Sequence, residues 1–309
     1  MPTQRLPRTL VEAVRYFSDE DVCVQFVASL RWENGPVCPR CGSDAHYYLA
    51  SRRVWKCRDC AKQYSVKVGT IFEDSPIKLD KWLCAIWLIA NSKNGISSHE
   101  LGRAIGVTQK SAWFMLQRIR LAMQTGTFER FDGTVEVDET FIGGKARNMH
   151  ENVRKRKIVS GRGGADKTVV MGAKSRDGKV TATVVPDRNP ATLDAFVRDH
   201  VAEGSNLYTD GLAGYRALAD DYDHATVDHA NVYVDGQVHT NGIENFWSLL
   251  KRGLHGTYIS VEPFHLFRYI DERVFTFNHR EADDLTRFAT VVEMVAGRRL
   301  TWDQVTGRA

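Results

Sequence analysis

Two sets of side chains in this 309-residue chain have the types and spacing of metal ligands. The first is sulfur: Cys38-Pro-Arg-Cys41 is followed, after fifteen residues, by Cys57-Arg-Asp-Cys60. Two residues between thiols let one knuckle fill two corners of a tetrahedron, and a second knuckle fills the other two. That is the spacing of a four-thiolate structural Zn site. The competing use is two disulfides. It is disfavoured because the Arg-rich N-terminal stretch, with Glu12 and Asp19–Asp21, has no apolar core of an export signal. The expectation is a cytoplasmic protein with reduced thiols. Cys23 and Cys84 lie in apolar surroundings and read as small core residues.

The second set is oxygen. Asp138 falls within an alternating, β-branched stretch, Asp210 closes another, and Glu244 lies on a helix thirty-four residues later. Three carboxylates meeting at one point repel each other unless a dication lies among them. Mg²⁺ takes oxygen ligands, as does Mn²⁺, and two ions about 4 Å apart assist both the attacking and the departing oxygen in phosphodiester displacement. Asn241 followed three residues later by Glu244 also fits a helix capping box, which needs no chemistry. A cap leaves unexplained why the same polar stripe continues through Ser248 to Lys251-Arg252.

The elements that must position these groups follow from periodicity. Thr134–Ile142 alternates as a strand, and Lys167–Lys174 and Lys179–Val185 read as two more, joined through Asp177-Gly178. An amphipathic helix at 190–202, a strand at 206–209 running into Asp210-Gly211, a helix near 213–220 and a short strand near 225–228 come next. The helix 239–254 carries Ile243, Phe246, Trp247, Leu250 and Leu254 on one apolar stripe. The order describes a mixed α/β domain built on a hairpin meander. Between its first two strands, Lys145–Lys157 holds six Lys or Arg and one acid, a run that is either a solvated loop or a DNA contact.

The front of the chain is different. Tyr47–Leu49 and Val54–Trp55 read as the two strands of a ribbon around the cysteines. Arg40, Arg52, Arg53, Lys56, Arg58, Lys62 and Lys67 are interleaved there with Tyr47, Tyr48, Trp55 and Tyr64, a mixture suited to gripping phosphates. A helix capped by Asp80 carries Trp82, Leu83, Ile86, Trp87 and Ile89. Ser97 or Ser98 then caps a second helix, Gly106 makes a tight turn, and Thr108 starts a third with Gln109, Lys110 and Ser111 in its first turn. This is the layout of a helix-turn-helix, whose second helix reads the major groove; a plain helical hairpin is the alternative. Residues 1–130 hold 19 Lys and Arg against 12 Asp and Glu, whereas 131–309 hold 23 against 26, so a basic front precedes an acidic back. Hydrophobic content of 43% and charged content of 26% exclude wholesale disorder. The longest apolar run, Trp82–Ala90, is about half of what a membrane span needs, so no membrane partner is expected.

Taken together, CPRCG…CRDC at 38–60, GTIFEDSPIKL at 69–79, VEVDETFIGGK at 135–145, YTDGLAGY at 208–215 and HTNGIENFWSLLKRGLHGTY at 239–258 resemble bacterial insertion-sequence transposases of the ISXO-two-like group. The resemblance spans nearly the whole chain. It implies a ribonuclease H-like mixed sheet with flanking helices, preceded by a zinc ribbon and a helix-turn-helix region. The implied divisions are an N-terminal helical segment (1–35), the ribbon (36–68), the helical DNA-binding region (69–130), the DDE catalytic domain (131–285) and a C-terminal tail (286–309). It further implies transposition of an element with terminal inverted repeats, performed with Mg²⁺ or Mn²⁺ as two ions on double-stranded repeat and target DNA by a homodimer or higher oligomer. The family's acids carry over to Asp138 and Asp210. The third position varies in the family between an acid and Asn, so Asn241 and Glu244 are both candidates, and the charge of Glu244 favours it. Lys251 matches the basic residue after the third acid and is expected to touch phosphate. A structure-specific nuclease on the same fold and a non-catalytic DNA-binding regulator are the alternatives, separated by strand joining and by metal dependence.

Overall fold

The computed structural model describes residues 5–124, 130–143, 167–210, 212–227 and 238–308. The basic run Lys145–Lys157 lies outside the described residues, as do Gly211 and Asp228. Chain contacts define two compact units, Met1–Gln124 with His279–Ala309, and Thr125–Asn278.

The first unit begins with α1 (Leu10–Tyr16), opened by a capping box between Thr9 and Glu12, and α2 (Glu20–Arg31), capped by Asp19. Three short antiparallel strands follow: β1 (His46–Leu49), β2 (Val54–Cys57) and β3 (Gln63–Tyr64). β3 adds a third strand to the expected two, because Tyr64 turns inward among Trp32 and Trp55. Helices α3 (Leu79–Asn91), α4 (Ser98–Ile105) and α5 (Gln109–Met123) complete the front of the unit. Asp80 does not cap α3. Lys78 occupies that place, and burial of Leu79 starts the helix earlier, leaving Asp80 in the first turn with its carboxylate accepting the Lys81 N–H. Ser97 and Thr108 cap α4 and α5, and Gly106 between them takes φ +65, as a left-handed turn requires.

The segment expected as a tail from 286 is instead built into this unit. Its helix Asp284–Glu293 buries Phe288, Val291 and Val292, and Phe288 meets the rings of Phe17, Phe26 and Trp87. The apolar i, i+3, i+4 spacing of those residues explains the difference: exposed, they would forfeit roughly 1.5–3 kcal/mol each. Arg118 of α5 ties distant pieces together. Its guanidinium donates to the carbonyls of Ile71, Glu73 and Leu300 at 2.8, 2.8 and 2.9 Å.

The second unit is a five-stranded mixed sheet in the order β6-β5-β4-β7-β8. β4 (Thr134–Ile142), β5 (Thr168–Ser175) and β6 (Val180–Val185) form an antiparallel meander. Helix α6 (Pro190–His200) then leads to β7 (Asn206–Asp210), parallel to β4, and 3₁₀ turns over Ala213–Asp220 lead to β8 (Asp223–Val227), parallel to β7. Helices α7 (Asn241–Gly253) and α8 (Leu266–Asn278) close the unit. Alternation along the strands feeds two cores. Val135, Val137, Met171 and Leu207 join α6 on one face, while Val170, Val180 and Ala182 join Ile243, Phe246, Trp247 and Leu250 of α7 on the other. Among the described residues, no helix is long and apolar enough to cross a membrane.

Candidate functional site

β4 is the element on which the acidic site is built. It pairs with β7 in parallel from Thr134↔Asn206 to Glu136↔Tyr208, and the same register carried two residues further sets Asp138 opposite Asp210. Past Glu136 the pairing with β7 stops while that with β5 continues to Ile142, so one edge of β4 opens where β7 ends. Ligands of mixed sheets commonly sit beyond the carboxyl ends of parallel strands, at such a gap.

Here carboxylate oxygens of Asp138, Glu139 and Asp210 lie within 4.8 Å of one another. The site residues expected from the sequence are thus brought together for Asp138 and Asp210, with Glu139 as the third acid in the group. Glu244 and Asn241 are exposed residues in the first turn of α7, and Glu244 is not one of the clustered carboxylates. The capping box expected as one use of Asn241 and Glu244 does not form. Thr240 precedes the helix, and its hydroxyl donates to Glu244 Oε1 at 3.3 Å. Lys251 lies half-buried, two turns along the same helix.

Every acid of the cluster has a defined neighbour. Trp247 Nε1 donates to Asp138 Oδ2 at 2.9 Å, Tyr215 Oη donates to Glu139 Oε2 at 3.0 Å, and the Leu212 N–H donates to Asp210 Oδ1 at 3.1 Å. The Arg188 guanidinium stands 3.9 Å from Glu139. Burial, together with the charges of Glu139 and Asp210, pushes the Asp138 carboxyl up to about 7, and the Trp247 N–H opposes this. Burial and Asp210 raise Glu139 as well, and burial beside Glu139 raises the Tyr215 phenol. Acids brought this close could together hold a divalent cation through oxygen donors alone.

The helix that supplies Trp247 is anchored next door. Glu136, 1% exposed, accepts the Ile243 N–H at 2.8 Å in the first turn of α7, where the helix dipole favours an anion. Arg176 and His239 flank the same carboxylate at 3.4 and 3.6 Å.

Sequence reasoning missed Glu139, Trp247 and Tyr215. Strand alternation sends neighbours to opposite faces, so Asp138 and Glu139 do not look like partners until the strand edge opens. Trp247 was absorbed by its apolar stripe. The two polar ring atoms within recurrent motif segments were the available signal.

In the first unit, sulfurs of Cys38, Cys41, Cys57 and Cys60 form a second group within 4.8 Å, with Cys38–Cys60 at 3.7 Å and Cys41–Cys57 at 3.6 Å. Those separations are far beyond a disulfide bond. A Zn–S length of about 2.3 Å puts tetrahedral sulfurs about 3.8 Å apart, so the cluster fits Zn²⁺. The Cys60 N–H points at Cys57 Sγ, and such backbone donors lower the Cys57 thiol to about 7.

The expected phosphate-gripping surface of the ribbon is only partly open. Arg53 is committed to Asp21 at 2.7 Å, the Lys67 ammonium donates to the Ser75 and Ile77 carbonyls, and Trp55 and Tyr64 are buried. Tyr47 remains 39% exposed, with Lys56 above its ring. On α5, Gln109 and Lys110 are exposed, although Gln109 donates to Ser98 and Lys110 lies 4.7 Å from the Trp302 ring.

Comparison with known proteins puts both clusters inside matched family domains. Residues 130–278 match the model of the ISXO2-like transposase domain, and residues 18–63 match that of the transposase zinc-ribbon domain. A protein of the transposable element ISH50 of Halobacterium salinarum is 30% identical over 254 residues, covering 78% of this chain and 85% of that one. A transposase-like protein of Haemophilus influenzae is 32% identical over 104 residues, covering 33% of this chain and 84% of that one.

Proposed function

Because the chain belongs to the insertion-sequence transposases with an ISXO2-like DDE domain and a zinc ribbon, we propose that it binds the terminal inverted repeats of its element and carries out Mg²⁺- or Mn²⁺-dependent strand cleavage and strand transfer. The observation that carries this reading is the convergence of Asp138, Glu139 and Asp210 at the open edge of β4. An antiparallel meander continued by parallel strands on the other side, with helices on both faces, supports a ribonuclease H-like sheet. The capped α4–Gly106–α5 hairpin, with exposed residues in the first turn of α5, supports a helix-turn-helix reader. Four free thiols at tetrahedral spacing support Zn²⁺ as a structural ion.

When bound, the divalent ions activate the attacking oxygen and stabilise the departing one. Asp138 and Asp210 would hold them from adjacent strands, with Glu139 the nearest further carboxylate. Glu244 would contribute from α7, and Lys251 would steady a phosphate. Water first breaks a phosphodiester, leaving a 3′-hydroxyl on the element end. That hydroxyl then attacks a target phosphodiester, so one P–O bond forms as another breaks and no energy-rich cofactor is consumed. The protein works as a dimer or larger assembly, because two element ends must be joined to one target.

The test is cleavage and joining of terminal-repeat duplexes in Mg²⁺. Wild type cleaves and joins, and Asp138→Ala and Asp210→Ala lose about a hundred- to a thousandfold, in the range of a lost electrostatic stabiliser. Equal activity in all three would sink the reading. Glu244→Ala loses more than Asn241→Ala if Glu244 is the helix ligand, and the reverse ranking assigns that role to Asn241. Cleavage without a joined product would favour a structure-specific nuclease.

A further inference from the structure

Trp247 is buried, 4% exposed, in the apolar face of α7, yet its one polar atom is not wasted on solvent. Nε1 donates to Oδ2 of Asp138 at 2.9 Å, across 109 residues of sequence. Its ring can reach that position only because β5 offers no side chain at Gly172, which pairs directly with Asp138. A Cβ there would lie 2.6 and 2.9 Å from two atoms of the indole and 3.1 Å from Ile243 Cδ1. The helix cannot readily retreat, since Glu136 holds the Ile243 N–H at 2.8 Å.

From this geometry we infer that Trp247 is a positioning residue for the divalent-ion site, seated over Gly172 and setting the rotation of the Asp138 carboxylate. The inference rests on the reading of Asp138 as a metal ligand. A carboxylate on a strand rotates freely about its last bond, and a cation binds it well only in one narrow range of orientations. One N–H on Oδ2 fixes that rotation and still leaves most of the lone-pair directions open for a cation. The same bond makes α7 part of the site: the helix carrying Glu244 and Lys251 is registered on Asp138 through the indole, as well as through Glu136. A core tryptophan needs some acceptor for its N–H, but it has no need for that acceptor to be a carboxylate of the acidic cluster or for a glycine to pair with that acid.

The experiment replaces Trp247 in the full chain with 3-benzothienylalanine, which keeps the ring volume and puts sulfur where the N–H was, and measures Mn²⁺ affinity from the free-ion signal in electron paramagnetic resonance. Outer partners of metal ligands typically contribute about ten- to a hundredfold to affinity, so about a tenfold loss is expected, together with the drop of a few degrees in melting temperature in chelator that a lost hydrogen bond brings. Trp247→Phe weakens Mn²⁺ binding likewise, and on an Asp138→Asn background it causes no further loss, since its effect runs through that carboxylate. Wild-type affinity in the benzothienyl variant overturns the proposal. An equal further loss on the Asp138→Asn background also overturns it, because the effect would then be on packing alone. Wild-type protein without Mn²⁺ binding, or Asp138→Asn binding as wild type does, refutes the two-ion reading and with it this inference.

Discussion

Gly172→Ala is the sharpest test of how the acidic site is built, since it adds a single methyl group and no charge. The new Cβ would stand 2.6 Å from the Trp247 ring and 3.1 Å from Ile243 Cδ1, where carbon atoms are comfortable at about 3.5–4.0 Å. The ring must therefore move by the better part of an ångström, in a core where Trp247 and Ile243 are 4% and 0% exposed. Overpacking of this kind costs about 1–3 kcal/mol. Displacing the indole also breaks its 2.9 Å bond to Asp138, and a hydrogen bond to a charged group contributes about 1.5–3 kcal/mol. Against this, alanine restricts the unfolded chain and returns about 0.4–1 kcal/mol. The balance is a destabilisation of about 2–5 kcal/mol, or a melting point about 4–20 °C lower for a unit of this size. Calorimetry of the metal-free chain reads the shift, and Gly256→Ala, where a Cβ meets nothing within 4 Å, is the control that should be neutral or stabilising. A Gly172→Ala protein that melts with wild type would refute the claim that glycine is required to seat the indole over Asp138.

Three further outcomes follow from the same structure. Cys57→Ser, or stripping with a strong chelator, should release one Zn²⁺ per chain and unfold the ribbon, because structural Zn²⁺ supplies on the order of 10 kcal/mol to such modules; retained far-ultraviolet dichroism and an unchanged melting profile would contradict this. Arg118→Ala should cost about 3–5 kcal/mol, since three carbonyls lose their buried donor, and Arg118→Lys should not rescue it, because an ammonium cannot reproduce the planar fork; denaturant melts decide. Asp138 sits near 7 in the fold against about 3.9 unfolded. The folded state therefore holds the extra proton, so metal-free stability should fall as pH rises from about 4 to about 7 and level off above. Asp138→Asn should flatten that slope and raise the melting temperature at pH 8 in chelator, and saturating Mg²⁺ should do the same for wild type; a stability that rises through this window would oppose the assignment.

What the residues disclosed in advance, and what they withheld, divides along the range of the interactions involved. Short-range geometry was legible. CxxC knuckles dictate where sulfurs go within a few residues, and the four thiols meet as that spacing requires. The α4–α5 turn was equally local, with Ser97, Gly106 and Thr108 each in the role its backbone chemistry favours. Strand and helix order in the second unit was readable from alternation and from the stripe on α7. The convergence of Asp138 with Asp210 needed one further fact, the parallel register of β4 on β7, which no local pattern prints. The closeness of Glu139 to this pair was hidden for a related reason. A strand's two-residue period argues that adjacent acids diverge, and that holds for their Cβ directions, whereas the carboxylate ends can still meet around an unpaired strand edge. Once the pairing of β4 with β7 stops at Glu136, Asp138 and Glu139 share one opening, and Glu244 stays outside the group. The C-terminal segment shows the same principle in packing: Phe288, Val291 and Val292 announce a buried face, but only the fold says that Phe288 is buried against Phe17, Phe26 and Trp87, more than two hundred residues earlier in the chain. A carboxylate cluster that draws its members from β4 and β7 and one of its hydrogen bonds from α7 is thus a tertiary object. Its weakest point should be the indole of α7 seated between Gly172 of β5 and Asp138 of β4.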